Sequence, residues 1–353
     1  MINNNNLKIK YFINIFLCFF WYINRKKYFL WFFTNSNKGK PKISIFLPIY
    51  NKEIYVEKCI SRLLNQTLKD FEIIAVNDFS NDNTLSILND LSKKDNRIKI
   101  INNDKNHGLL YSRAMGILNS SGEYIMNLDA DDEINGDDCL DYLYNQTQIF
   151  KVDIITFNIF DKKSNLTIKC KSKNEILFQP KLFKSIFYEN NIIREFLIWN
   201  KLIKKEIFIK ALDDFQTEIY NLKWNYFEDD IWSILVNKYA KSKLCLDRLV
   251  YIYNYNNDSL MNQRIGAIEF RNILYRHEMY KKIFIKKEDE PYLIAEYYFL
   301  LNRLKSELKY LLLIKDNKIK NHIKNIFEYF INNYNCSLEN KKEINNFLKL
   351  MSV

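Results

Sequence analysis

The chain has 353 residues, 48% of them hydrophobic and 16% aromatic, which excludes a disordered protein and supplies core for one large domain or two smaller ones. Although 53 basic side chains outnumber 42 acidic ones for a formal net charge of +11, the lysines are scattered without an Arg-rich run, zinc-finger spacing or RNA-binding aromatic signature, so no nucleic-acid partner is expected. Six cysteines (Cys18, Cys59, Cys139, Cys170, Cys245, Cys336) lie far apart with no C-x-x-C pair, which argues against a disulfide framework or structural zinc and for a reducing compartment.

After an Asn-rich start, "YFINIFLCFFWYIN" (residues 11–24) is almost free of charge, and "YFLWFF" (28–33) follows the basic break Arg25, Lys26, Lys27. A helix of that first stretch reaches only about 21 Å against a hydrocarbon core of roughly 30 Å. An interfacial helix or short signal anchor is therefore expected over 11–33, with aromatic and basic residues at headgroup level, and a buried packing helix is the alternative. No small-residue cleavage site follows, which disfavours a cleaved signal peptide. "NSNKGKPK" (35–42) reads as a linker.

From there short apolar runs alternate with helical ones. "ISIFLPI" (43–49), "FEIIAVND" (71–78), "RIKIINN" (97–103) and "EYIMNLD" (123–129) have strand length. Helix candidates over 54–66, 84–91 and 109–118 separate them, the first with Val56, Ile60, Leu63 and Leu64 on one side. Strands apolar on both faces and separated by helices predict an α/β doubly wound, mostly parallel sheet. "VDIITFNIF" (152–160) predicts a further strand, "IWNKLIKKEIF" (198–208) a turn entering a helix, and 229–240 a helix. Beyond about Arg264 the Lys-, Leu- and Tyr-rich chain has helical spacing and reads as a helical carboxyl-terminal appendage. The expected divisions are 1–40 (apolar and basic segment with linker), 41–263 (α/β domain, in two halves, 41–134 and 135–263) and 264–353 (helical region).

In a doubly wound sheet, ligands bind outside the carboxyl ends of the strands. The acidic run "DADDE" (129–133) stands at such an end. Like charges this close raise the cost of ionising one another unless a cation is present, and oxygen-only ligands suit magnesium or manganese. By itself the run is also compatible with a solvated acidic turn.

Four segments now stand in register: "PIYN" (48–51), "VNDFSNDNT" (76–84), "NHGLLYSRAMG" (106–116) and "LDADDE" (128–133). Together, over residues 43–134, they resemble the family 2 glycosyltransferases of the GT-A fold. The resemblance implies that Tyr50 lies against the donor's nucleobase, flanked by Asn51 and Glu53, with Pro48 among the donor-binding residues. It implies that Asp78 recognises the base or ribose and that Arg113 is a cation near the base and phosphates. Asp129 and Asp131 match the D-x-D motif, which touches the ribose and holds a divalent metal, Mn²⁺ or Mg²⁺, on the diphosphate. Phe79 and Ala114 depart from the Gly and Asn often found there, which puts donor preference in doubt more than activity. From the residues alone, Tyr50 can equally be a core aromatic and Asp78 a cap or turn residue; Asp82 reads as turn chemistry.

Transfer to a hydroxyl also needs a base. "YFEDDIWS" (226–233) resembles the family's E-D motif, which implies Asp229 as base with Glu228 orienting it. Acidic residues at a helix amino terminus also favour the macrodipole, so the segment fits either role. "IWNKL" (198–202) and "YIYNYNNDSLM" (251–261) resemble acceptor-side segments, with Trp199 and Lys201 the residues to inspect; a solvated Lys201 is the alternative. His107 is within possible reach of the donor, whereas His277 and His322 read as structural.

The expectation is an inverting, metal-dependent hexosyltransferase, cytoplasmic or membrane-associated. It would move one sugar from a nucleoside-diphosphate sugar, by resemblance a UDP-sugar, to a hydroxyl on a glycan, lipid-linked glycan or protein glycan. A processive polysaccharide synthase is expected to carry Q-x-x-R-W and several membrane helices, and a sugar-nucleotide pyrophosphorylase a Gly-rich loop; neither pattern is found, and the chain has only six glycines. A binding protein that keeps the fold without activity is the rival of another class.

Overall fold

A computed structural model describes residues 39–170, 174–179, 197–214, 228–256, 317–333 and 338–351, with positions 182, 274, 300–301 and 304–305 between them. The chain divides into Met1–Pro41 and Lys42–Val353, and the sheet belongs to the second unit. Residues 11–33, expected to meet a membrane, lie outside the described residues. Among those described, no helix is long and apolar enough to cross a membrane.

The first half follows the predicted alternation: β1 (Ile43–Ile49), α1 (Val56–Leu64), β2 (Phe71–Asn77), α2 (Thr84–Lys94), β3 (Ile98–Asn102), α3 (Leu109–Asn119) and β4 (Tyr124–Asn127). β1 pairs in parallel with β2 and β4, and β2 with β3. β1 and β2 are buried along their whole length, as strands covered on both faces must be. Gly116 lets α3 lie directly on β1, because a Cβ there would stand 2.7 Å from the Cβ of Phe46. Phe46 meets Phe208 edge-on at 6.3 Å, and Phe208 meets Trp232 at 6.0 Å, so the two later helices that carry these rings join the same core.

The second half comprises β5 (Glu133–Ile134), α4 (Cys139–Phe150), β6 (Ile154–Asp161), β7 (Leu166–Ile168), β8 (Ile176–Phe178), β9 (Lys201–Lys204), α5 (Lys205–Asp213), α6 (Glu228–Tyr239) and β10 (Ser242–Tyr253). The path of the sheet is β3-β2-β1-β4-β9-β6-β10-β5, with β7 on β6 and β8 on β10. Here the expectation of a mostly parallel sheet needs correction. β9 is antiparallel to both β4 and β6, β5 and β8 are antiparallel to β10, and only β6 with β10 is parallel. Short antiparallel insertions extend the parallel half without needing crossover helices of their own. "KLIK" was expected to enter a helix; its buried apolar pair instead completes the sheet beside β4, and the helix starts at Lys205.

The described carboxyl-terminal elements are helical as expected: α7 (Asn317–Asn333) and α8 (Leu338–Met351), joined by Phe327 and Phe347 edge to face at 5.9 Å.

Candidate functional site

The loops after β1 and β2 are laced together, and the residues expected at the donor do the lacing. Asn51, with φ at 51°, donates its N–H to Ser80 Oγ at 3.0 Å and accepts from the Asn81 N–H at 2.8 Å. Glu53 accepts from the Asn83 backbone and side-chain amides at 2.8 Å each, and its own N–H donates to Asp82. Asp82 also accepts from the Thr84 N–H at 3.0 Å, the turn chemistry its position predicted. Beside this seam Tyr50 is 43% exposed, which rules out the core alternative and leaves its ring free at the ends of the strands. Pro48, by contrast, is buried within β1, paired opposite Val76.

Asp78 is buried and accepts three hydrogen bonds: from the Asn103 amide at 2.7 Å and the His107 N–H at 2.9 Å on Oδ1, and from the Gly108 N–H at 2.8 Å on Oδ2. Gly108 stands at φ 93°, a conformation that costs glycine little, and so turns its N–H to the carboxylate just before α3 begins. Asp78 thus fixes the loop between β3 and α3. The His107 ring stacks on Tyr111 at 4.1 Å and contacts Asp104 at 2.6 Å.

The acidic run divides in two. Asp132 and Glu133 are buried. Asp132 accepts from the Tyr251 hydroxyl at 2.6 Å and the Asn254 N–H at 2.7 Å; burial, then Asp131 and Asp129, pushes its carboxyl well above the usual range. Glu133 collects Lys58 at 2.9 Å, Lys162 at 3.1 Å and Arg62 at 3.6 Å. Burial opposes its ionisation, but the hydrogen bonds from Lys58, Lys162 and Asn254 hold it down at about 2. These two acids bind the strap after β10 to the end of β4, while Asp129 and Asp131 remain for the site.

Arg113 links the end of β4 to the helix that carries the expected base. It is 1% exposed; one terminal nitrogen pairs with Asp229 and with Glu228 at 3.1 Å, and the other reaches Asp129 at 3.3 Å. Trp199 Nε1 donates to Asp229 at 3.1 Å, and its ring packs on Tyr251 and Tyr253 at 4.7 and 5.7 Å. Burial works against an ionised Asp229, but Arg113, with hydrogen bonds from Glu228, Arg113 and Trp199, draws its carboxyl below the ordinary value. Glu228 is pushed well up by burial and by the Asp229 charge. Asp129 is raised by burial against the pull of Arg113. The two shifts run in opposite directions, so the ionised form is favoured at Asp229 and disfavoured at Glu228.

Lys201 is fully buried, with its ammonium on the Leu197 carbonyl and on Asn200 Oδ1 at 2.8 Å, so the alternative of a solvated lysine is corrected. The physical reason is its place in β9, which turns the side chain inward to satisfy the preceding loop.

Asp131 Oδ2 accepts from Lys52 Nζ at 2.6 Å and from the Asn256 amide at 2.5 Å. Sequence reading missed Lys52; it singled out the segment 251–261 that holds Tyr251, Asn254 and Asn256, but as acceptor-side and not as partners of the acidic run. Among the described residues no three His, Cys, Asp or Glu side chains converge as a closed metal cage. Two carboxylates at alternate positions nonetheless fit a hard cation that completes its shell with water and diphosphate oxygens.

Glycosyl transferase family 2 matches residues 44–212. The uncharacterized glycosyltransferase EpsJ of Bacillus subtilis is 30% identical over 223 residues, 62% of this chain and 63% of that protein. Glycosyltransferase GlyA of Streptococcus pneumoniae is 29% identical over 62% of this chain and 31% of its own length, so the chain spans less than two thirds of either relative. A 95-residue stretch is 39% identical to the GalNAc(5)-diNAcBac-PP-undecaprenol beta-1,3-glucosyltransferase of Campylobacter jejuni, covering 27% of this chain and 31% of that one. Among solved structures, S. aureus TarS superposes with a TM-score of 0.51 at 18% identity over 88% of this chain and 55% of its own. Its residues 1–349 in complex with UDP-GlcNAc superpose with a TM-score of 0.51 at 17% identity, over 82% of this chain and 92% of that one. The acidic strand end lies within residues 44–212, the stretch of this chain that resembles glycosyl transferase family 2.

Proposed function

We propose that the chain is an inverting glycosyltransferase that moves a single sugar from a nucleoside-diphosphate sugar to a hydroxyl acceptor. The observation that carries this is the shared guanidinium of Arg113, which ties Asp229 on α6 to Asp129 after β4. A carboxylate kept ionised on α6 thereby stands beside the carboxylates suited to the departing diphosphate.

Tyr50 offers an exposed ring for the nucleobase, beside a loop that Asp78 keeps rigid. Asp131 and Asp129 would hold magnesium or manganese, which supplies Lewis-acid neutralisation of the leaving nucleoside diphosphate. Asp229 takes the proton from the acceptor hydroxyl as that oxygen attacks the anomeric carbon from the face opposite the leaving group, so the configuration inverts. Glu228, whose carboxyl burial and the Asp229 charge push upward, hydrogen-bonds Asp229 and keeps it oriented; Trp199 holds the other carboxylate oxygen and presents its aromatic stack on the acceptor side.

UDP-sugars are the first donors to try, since the TarS fold neighbour is described with UDP and UDP-GlcNAc. The Campylobacter relative's name supports a glycan on a lipid diphosphate as one acceptor class, which suits a membrane-facing role for residues 11–33. The test is calorimetric titration of UDP, GDP and their sugars into the full chain, with and without Mn²⁺, beside Asp131→Asn. Metal-dependent binding of one nucleotide that the variant loses supports the enzyme. A folded protein that binds none of them is the inactive binding protein instead.

A further inference from the structure

We propose that Lys52 is a tethered cation that holds Asp131 until the donor arrives, so that metal uptake by the D-x-D pair is coupled to nucleotide binding. The proposal rests on the donor-site reading above and adds a residue that the family resemblance assigns no part.

The backbone of Lys52 is fixed on both sides. Its N–H donates to Thr84 Oγ1 at 2.8 Å, and its carbonyl accepts from the Tyr55 and Val56 N–H groups at 2.9 Å each. Its neighbours Asn51 and Glu53 are laced to the loop after β2. The lysine stem therefore starts from a rigid point, and its ammonium lies 2.6 Å from Asp131 Oδ2 and 5.6 Å from the centre of the Tyr55 ring.

Each D-x-D carboxylate thus faces a cation of the chain itself, but the two cations differ. Arg113 is 1% exposed and shared by three carboxylates, so it cannot leave. Lys52 retains 21% of its side-chain exposure, sits on a flexible stem and pairs with Asp131 alone among the described carboxylates. An ammonium and a divalent cation repel and compete for the same oxygen. A bound diphosphate gives the displaced ammonium a new anion within reach, while Asn256 keeps its hold on Asp131. Metal and nucleotide are then taken up together, and the empty site is guarded against stray cations.

The experiment is Mn²⁺ binding to the full-length protein, read from the loss of the free-ion paramagnetic resonance signal, for wild type, Lys52→Gln and Lys52→Arg, with and without UDP. Without nucleotide, Lys52→Gln is expected to bind Mn²⁺ about tenfold or more tightly than wild type, within the usual range of coupling between two ligands. Lys52→Arg should stay near wild type because the charge remains, and adding Asp131→Asn to Lys52→Gln should abolish the gain. Equal Mn²⁺ affinity for wild type and Lys52→Gln, or none in either, overturns the proposal, provided both melt at the same temperature; a variant that melts lower is replaced by Lys52→Met. The nucleotide-free arm stands apart from the donor reading, which falls separately when calorimetry finds no UDP bound to any of the proteins.

Discussion

Replacing Arg113 with Met removes the one cation shared by Asp129, Glu228 and Asp229 while keeping most of the side chain's volume. The guanidinium is 1% exposed, so water does not take its place. Breaking a buried ionic group by removing one partner costs about 3–5 kcal/mol, because the remaining charge is left uncompensated. Here the remaining groups can escape by binding protons. In the wild type the Asp229 carboxyl is depressed, so its ionised form contributes stability above its unfolded value, and that contribution is lost as pH falls through the folded value. In Arg113→Met the same carboxyls, buried without their cation, shift upward and stabilise the variant as pH falls. The gap between the two proteins should therefore be about 3–5 kcal/mol at pH 8 and shrink steadily toward pH 5. Urea unfolding followed by tryptophan fluorescence at pH 8, 6.5 and 5 measures it. A gap under about 1 kcal/mol, or one independent of pH, would refute the role given to Arg113.

Asp229→Asn should lose transfer by about 10²–10⁴-fold, the usual worth of a general base, while UDP and Mn²⁺ still bind as in wild type; retained turnover in a donor-hydrolysis and transfer assay would move the base elsewhere. Glu133→Gln tests the strap. With the wild-type carboxyl at about 2, the stability from its ion pairs is present above about pH 4.5 and lost as pH falls through 2. The variant should be weaker by about 1–2 kcal/mol at pH 7, allowing for the exposure of its lysine partners, and should converge on wild type in acid; a constant difference in thermal melts across that range would contradict the pairing.

The parallel half of the sheet and the strand end at which the acidic run stands were legible in the sequence because both follow from local pattern. A strand buried on both faces has to be apolar throughout, so β1, β2 and β4 stand out as runs, and the acidic run after β4 has to lie at a strand end. The antiparallel half was not legible in the same way. "KLIK" has the composition of a helix entry, and only the edge left open by β4 and β6 makes it a strand.

Within the site, the resemblance of short motifs to family 2 glycosyltransferases picked out Asp129, Asp131, Glu228, Asp229 and Arg113. Spacing does not tell which carboxylate faces which cation. Asp132 and Glu133 sit beside Asp131 in the chain, yet Tyr251, Asn254, Lys58 and Lys162 claim them, and those partners come from α1, the turn after β6 and the end of β10. Lys52 looked like one lysine among many until the lacing of two loops aimed it at Asp131. Sequence by itself therefore determined the fold class and the candidate acids, through patterns that act over a few residues. Only the tertiary structure decided how their charges are divided, because buried charge is settled by whichever distant partner the packing brings within hydrogen-bond distance.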